Sequence, residues 1–468
     1  MKDEEIYLER LFQGMKIPAI GKRKASFEAF VKETEHLEAV QQILENQKML
    51  QDKWKLINRI NDVKNQSFRV SNATVGKAYE HKVDFERQQW TDFSFSDISG
   101  LEDIGLSYDN EAETISGTPT EAGDFKLTLL FRIKGEDPEK APNEKSFSLV
   151  INPDPKSLWK DIDSDKEAPF WKPDNVSAKA RLGNRNLVAV SKRGRSHANV
   201  GSFRDDDFAF EYHEKTGWSI VAVSDGAGSA KISRQGSKMA CEGIVDYFTT
   251  NIDQATLDEF DAIVQEQRDE TEGAARKLNN FVYTQLGGAV LNVHKKMAAF
   301  AKEHEYALRD LHSTLIFVLM KEYDFGTAML SFGVGDCPIG VLNENQTEIE
   351  LMNWLDVGEF GGGTRFVTMP EIFSDAKFGT RFGFKLAGKF SYLMLMSDGV
   401  YDPKFEVEAN LEKVEKWQEF VKDLQGDNED GVAVNFDPEN EKVDEQLSQW
   451  MDFWSPGNHD DRTLVVIY

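Results

Sequence analysis

The sequence predicts a multidomain chain: an α+β layered domain at the C-terminal end, a small all-β sandwich before it, and a helical segment first. Three observations predict this. At 468 residues the chain exceeds what one ordinary hydrophobic core accommodates. Its apolar pattern changes near residue 66 from helical spacing to short alternating runs. Beyond about residue 180, strand-like runs surround one long helical block, an order typical of segregated α+β layers rather than βαβ alternation.

Residues 1–62 are expected to be helical. In "FEAFVKETEHLEAVQQILENQKMLQDKWKLINRI" the apolar residues Phe27, Phe30, Val31, Leu37, Val40, Ile43 and Leu44 recur at helical steps, with no Gly or Pro between them. Core packing explains that stripe, and so does a partner helix. Residues 66–153 contain "SFRVSNATV", "AYEHKVDF", "TISGTP", "DFKLTLLFRI" and "KSFSLVINP", short alternating segments divided by turn residues, which predict an antiparallel sandwich. Residues 154–179 carry three prolines among charges, with Pro153 just before them, and are expected to be a linker. From 180 to 468, "NLVAVSK", "DFAFEYH", "WSIVAVS", "STLIFVLM", "TAMLSFGVG", "SYLMLMS" and "TLVVIY" are the expected strands, around helices between about 235 and 310.

Composition narrows the function classes. Lys and Arg number 55 against 81 Asp and Glu, a formal charge of −26, which repels a nucleic-acid backbone. Much of that acid lies in stretches such as "DNEDGVAVNFDPENEKVDEQ", which read as solvated loops. No run reaches the ~18 apolar residues of a membrane span. The acidic, amphipathic start does not read as a signal peptide. The two cysteines, Cys241 and Cys337, fit reduced thiols rather than a disulfide framework, so a cytoplasmic location is expected.

Acidic residues stand where the strands of the last domain are expected to end: "RDDDFAF" (Asp205, Asp206, Asp207), "AVSDGAG" (Asp225), "SFGVGDCPIG" (Asp336), "LMSDGVYD" (Asp398, Asp402) and "GNHDDRTLVVIY" (Asp460, Asp461). A single Asp at a strand end commonly serves a turn. Two near-identical Ser-Asp-Gly corners with Gly-Asp and Asp-Asp beside them say more. Converging carboxylates repel unless protons or cations neutralise them. Oxygen donors suit Mg²⁺ or Mn²⁺, and a glycine after the Asp lets a backbone carbonyl approach the metal. The scattered histidines show no paired zinc spacing. Two metals ~4 Å apart activate water for in-line attack on phosphorus, so metal-assisted hydrolysis of a phosphate ester is expected.

Six motifs carry a more specific resemblance: "GRSHANVGSFRDDDFAF", "VAVSDGAGSAKISRQGSKMA", "HSTLIFVLM", "SFGVGDCPIG", "LMLMSDGVYD" and "HDDRTLVVIY". In this order they resemble the type 2C metal-dependent serine/threonine protein phosphatases. The resemblance implies an α-β-β-α sandwich of two antiparallel sheets flanked by helices. It implies attack on phosphoserine or phosphothreonine by a metal-bridging water, with two Mg²⁺ or Mn²⁺ per site and a third possible. Asp225 would bridge both metals and the Gly226 carbonyl would bind the second. Asp398 and Asp460 would complete the first site. Asp206, with Asp205 beside it, would serve the second, and Asp336 and Asp402 a third. Ser313 and Thr314 match a small polar pair near that third site, and equally suit the start of a strand. Asp207 and Asp461 would hold the loops, and Cys337 would pack. The implied partners are a phosphoprotein and a cognate Ser/Thr kinase. Separately, "GLSYDNEAETISGTPTEAGDFKLTLLF" resembles bacterial immunoglobulin-like or cadherin-like modules, implying a spacer or binding module.

Two departures qualify the resemblance. Many members have Asp-Gly-His where this chain has Asp225-Gly226-Ala227, which leaves the general acid unknown, with His459 and His197 to be considered. The phosphate-binding arginine has no clean match: Arg195 is preferred, with Arg193, Arg204 and His197 as alternatives. "GEFGGGTRFVT", Gly358 to Thr368, is either a mobile flap or an ordinary loop. A catalytically weak phosphoprotein-binding scaffold and a small-molecule phosphate-ester hydrolase are the alternative functions.

Overall fold

The computed structural model describes residues 3–18, 21–356 and 363–468, so residues 358–362 of the segment expected as a flap lie outside the described residues. The chain divides into two compact units, Met1–Leu158 and Trp159–Tyr468. Among the described residues, no helix is long and apolar enough to cross a membrane.

In the first unit, helices α1 (Asp3–Gly14) and α2 (Lys24–Lys32) pack on the early part of the 32-residue α3 (Thr34–Asn65) through Leu8, Val31 and Val40. Seven strands follow: β1 (Ala73–Thr74), β2 (Tyr79–Lys82), β3 (Phe93–Ser99), β4 (Leu106–Asp109), β5 (Thr114–Gly117), β6 (Gly123–Ile133) and β7 (Asn143–Asn152). They form a four-stranded sheet in the order β1-β7-β6-β3 and a three-stranded sheet in the order β2-β5-β4. Alternation in β6 and β7 buries Leu127, Leu129, Phe131, Phe147 and Leu149, as a half-buried sheet requires. Their core also takes Leu56, Ile60 and Val63 from the end of α3.

The second unit begins earlier than composition suggests. Within the stretch expected as a linker, Lys172 is buried and β8 (Asn175–Leu182) pairs along its whole length with β9 (Arg185–Lys192). Then come α4 (Arg195–Val200), β10 (Asp207–His213), β11 (Trp218–Ser224), and helices α5 (Ser233–Asp246), α6 (Gln254–Arg268) and α7 (Ala274–Glu303). The chain continues with β12 (Leu315–Tyr323), β13 (Gly326–Val334), β14 (Ile339–Asn343), β15 (Ile349–Leu351), α8 (Glu371–Ser374), β16 (Phe382–Ala387) and β17 (Phe390–Met396). It closes with α9 (Asp398–Phe405), α10 (Val414–Leu424), α11 (Val443–Trp450) and β18 (Arg462–Ile467).

One sheet runs β10-β11-β12-β13-β16 and the other β15-β14-β17-β18-β9-β8. Val221, Ile316 and Val318 of the first share a core with Leu187, Leu393 and Val465 of the second. Since side chains alternate across a strand, the opposite faces need cover of their own. Ile220, Phe317 and Leu330 meet Ile244, Phe260 and Leu286 of α5, α6 and α7. On the other sheet, Val190, Met394 and Val466 meet Phe405, Trp417 and Leu447 of α9, α10 and α11. Trp417, Phe420, Val421 and Leu424 recur at three- and four-residue steps, which gives α10 its buried stripe.

Register gathers the acidic corners. Asp207 pairs with Ser224, Leu315 with Val334, and Met396 with Leu464. Asp206 and Asp225 therefore leave their strands at one end, as do Thr314 with Asp336, and Asp398 with Asp461.

Candidate metal centre

Each Ser-Asp-Gly corner is clamped against an acidic loop. After β11, the Asp225 N–H donates to Thr314 Oγ1 at 2.8 Å and the Thr314 N–H donates to the Asp225 carbonyl at 2.8 Å. Gly226 bridges to Ser313, and a Cβ there would stand 2.6 Å from the Asp205 carbonyl. No side chain fits that gap. After β17, the Ser397 N–H donates to the Thr463 carbonyl and the Thr463 N–H returns a bond to Ser397 Oγ, both at 2.9 Å. A Cβ on Gly399 would collide with the Asp461 carbonyl. Glycine is what lets both corners close on the loops that carry Asp205–Asp206 and Asp460–Asp461.

The gathered carboxylates raise one another's proton affinity. Burial holds the Asp225 carboxyl well above the usual range, and the charges of Asp398, Asp206 and Asp460 add to it. Asp398 is raised in the same way by burial and then by Asp460, Asp336, Asp206 and Asp402. Burial and Asp461 push Asp206 up to about 7 and Asp205 to about 6. Burial also lifts Asp336 and Asp402. Such mutual repulsion is what a bound cation relieves.

Two oxygens point to the same conclusion. Asp206 Oδ2 accepts from Thr463 Oγ1 at 2.8 Å, yet its buried Oδ1 has no partner among the described residues. Asp336 Oδ2 accepts from Thr364 Oγ1 at 2.8 Å, and its buried Oδ1 likewise has no partner among the described residues. A buried carboxylate oxygen left without a donor is costly, and a hard cation satisfies it. Ligand atoms of Asp225, Asp336 and Cys337 lie within 4.8 Å of one another, as do those of His197, Asp460 and Asp461. Apart from His197 and the buried thiol, the donors are oxygens, a set that fits Mg²⁺ or Mn²⁺.

Other charges brace the loops. Asp461 accepts from the backbone N–H groups of Gly194 and Asp205 and from His197. Asp207 pairs with Lys172 Nζ at 2.9 Å, and Lys172 also donates to the Asp206 carbonyl at 2.6 Å and Ser237 Oγ at 3.1 Å. Thr314 Oγ1 also lies 3.4 Å from Cys337 Sγ, and Cys337 is wholly buried in the core between the sheets.

The three candidate arginines all have partners within the protein. Arg195 donates to the carbonyls of Phe453 at 3.0 Å and Asp452 at 2.7 Å. Arg193 serves Ser202, Asp161 and Asp174, and the buried Arg204 serves Pro173, Ser191 and the Asp206 carbonyl. A guanidinium five-donor fork spends itself on carbonyls as readily as on phosphate, and here all three arginines do so. His197 remains: its Nε2 stands 3.9 Å from Asp205 Oδ2. Burial lowers its proton affinity, but Asp461, Asp205 and Asp460 outweigh that and raise it to about 9. His459 sits between the rings of Trp159 and Trp454, with burial lowering its proton affinity. Lys172, Thr364, Ser397 and Thr463 were not singled out by the sequence. Only Ser397 carried a signal there, as the Ser of the second corner.

Comparison with known proteins gives a family model described as Protein phosphatase 2C, matched over residues 193–452. No curated protein matches. Among solved structures, a bacterial serine phosphatase is 18% identical, covering 60% of this chain and 96% of its own, with a TM-score of 0.34. Serine/threonine phosphatase Stp1 from Staphylococcus aureus is 16% identical, covering 63% and 98%, with a TM-score of 0.35. The catalytic domain of the phosphatase PstP, in complex with two manganese ions, is 15% identical, covering 63% and 98%, with a TM-score of 0.36.

Proposed function

The chain belongs to the protein phosphatase 2C family, and from that premise we propose that it removes phosphate from phosphoserine and phosphothreonine in proteins, using Mg²⁺ or Mn²⁺ held by its carboxylate cluster. The observation that carries this reading is the mutually repelling set of the buried Asp206 and the partly buried Asp225 and Asp398, with Asp206 Oδ1 unpartnered among the described residues. Asp225 with Asp398 and Asp460 would hold one cation, Asp225 with Asp206, Asp205 and the Gly226 carbonyl a second, and Asp336 and Asp402 a third. The bound cations would neutralise phosphoryl oxygens and make water a better nucleophile for in-line attack.

The chain's own residues orient the reaction. Thr314 and Ser397 fix the backbones of the two corners, and Thr463 fixes the Asp206 carboxylate. His197 takes the part of the missing arginine, offering positive charge to a phosphoryl oxygen beside Asp205. Ala227 has no proton to give, and we assign the leaving group's proton to solvent. The catalytic domain is read as an α-β-β-α sandwich, starting at Trp159 rather than at residue 180. The sandwich of residues 66–153 is read as a spacer or binding module, and a cognate kinase as the source of the substrate.

The test is phosphate release from p-nitrophenyl phosphate and a phosphothreonine peptide, with Mn²⁺ or EDTA, on wild type and Asp398→Asn. Calorimetric titration with Mn²⁺ on both proteins adds a readout independent of turnover. Turnover and Mn²⁺ binding are expected in wild type, with both lost or strongly reduced in the variant. Turnover that survives both the chelator and the substitution would sink the proposal. Metal binding without turnover on any phosphopeptide would move the assignment to a scaffold.

A further inference from the structure

Helix α3 uses two of its faces within its own unit. Val40 and its neighbours take α1 and α2, and Leu56, Ile60 and Val63 take the β-sandwich. A third face is bare. Ile43, Leu50, Trp54 and Ile57 are 39%, 63%, 64% and 50% exposed. They recur at three-, four- and seven-residue steps and form one stripe along the helix. Beside that stripe stand the amides Asn46, Gln47, Gln51 and Asn58, and one charge, Lys53, between Leu50 and Ile57. An exposed apolar stripe containing a Trp marks an interaction surface.

We propose that this stripe is a self-association surface on which α3 of a second copy of the chain docks antiparallel. The pattern is symmetric about Leu50: Ile43 and Ile57 lie seven residues on either side. A two-fold axis through Leu50 sets Leu50 on Leu50, Ile43 over Ile57, and Trp54 among the amides near Asn46. This is the self-complementarity that a two-fold interface requires. Charge sets the direction. Residues 33–45 hold four glutamates, Glu33, Glu35, Glu38 and Glu45, and no lysine or arginine. Residues 46–64 hold Lys48, Lys53, Lys55 and Lys64 against Asp52 and Asp62, while Arg59 is taken up by Asp92. Antiparallel docking lays acidic half on basic half, whereas parallel docking stacks like on like.

Light scattering coupled to gel filtration of the full chain tests this. Wild type is expected at twice the chain mass. A Leu50→Glu, Trp54→Glu variant is expected at the chain mass, with unchanged circular dichroism and unchanged p-nitrophenyl phosphate turnover, since both positions are exposed and far in sequence from the carboxylate cluster. Direction is read by oxidising Ile43→Cys mixed with Ile57→Cys. The native cysteines are buried, so the background is silent. Antiparallel docking cross-links the mixture and neither variant alone. A monomeric wild type, a dimer that survives the double substitution, or cross-linking of Ile43→Cys with itself would each overturn the proposal.

Discussion

His197 Nδ1 donates to Asp461 Oδ1 at 3.0 Å, and the other oxygen of that carboxylate takes the backbone N–H of Asp205. One buried aspartate thus ties the helix that follows β9 to the first acidic loop. Burial acts to raise Asp461, but His197 and the N–H groups of Gly194 and Asp205 hold it below the usual carboxylate range. Asp461 works through its neighbours.

Asp461→Asn keeps the shape and removes the charge. The proton affinity of His197 is expected to fall back toward the ordinary value, read by NMR titration of its ring. Mn²⁺ affinity is expected to drop by about 10–100-fold, the usual effect of removing a group that orients ligands. An unchanged His197 titration would show that Asp461 does not set its charge.

Arg195→Ala and His197→Ala separate two assignments for the phosphate-binding cation. Since Arg195 serves the carbonyls of Asp452 and Phe453, its loss is expected to lower stability by about 1–3 kcal/mol, with KM little changed. Loss of His197 is expected to raise KM severalfold on a phosphopeptide. The reverse pattern in steady-state kinetics would return the role to Arg195.

Lys172→Met leaves the partly buried Asp207 beside Arg204 without its closer cation. Breaking a buried pair by removing one partner costs about 3–5 kcal/mol. Denaturant unfolding measures that loss, and Mn²⁺ titration is expected to show a weaker site because the Asp206 carbonyl loses a donor. Normal metal affinity in a destabilised variant would confine Lys172 to folding.

In the N-terminal unit, Arg59 donates to both oxygens of Asp92 at 2.8 Å. That bond holds the Asp92 carboxyl below its usual value, with burial opposing. A lowered carboxylate adds stability above about pH 4, and the contribution is lost as pH falls through the lowered value. The pair is partly exposed, so Arg59→Met is expected to cost under about 1 kcal/mol near neutrality. The difference from wild type is expected to shrink below about pH 4, measured by thermal unfolding across pH. A difference that is flat into acid would assign the effect to packing.

The parts of the centre legible in the sequence are those whose chemistry is local. A strand followed by Ser-Asp-Gly specifies both the carboxylate and the close approach behind it, so Asp225 and Asp398 could be read together. Charge near a motif specifies much less. "KRGRSHANVGSFRDD" offered three arginines for a phosphate, but the carbonyls that claim Arg195 lie more than 250 residues away and leave no mark in sequence. Lys172 was hidden for the opposite reason. Prolines and charges around it match a solvated linker, and only the pairing of Lys172 with Asp207 shows that this charge is inside.

The same lysine bears on how the protein is taken apart in the laboratory. A fragment begun at the first strand of the second unit, Asn175, would keep every carboxylate of the candidate metal centre and still lack the cation beneath the first acidic loop. Weak metal binding in such a fragment would reflect the missing floor of the site rather than the chemistry of its ligands. Expression of the catalytic part should therefore start upstream of Trp159.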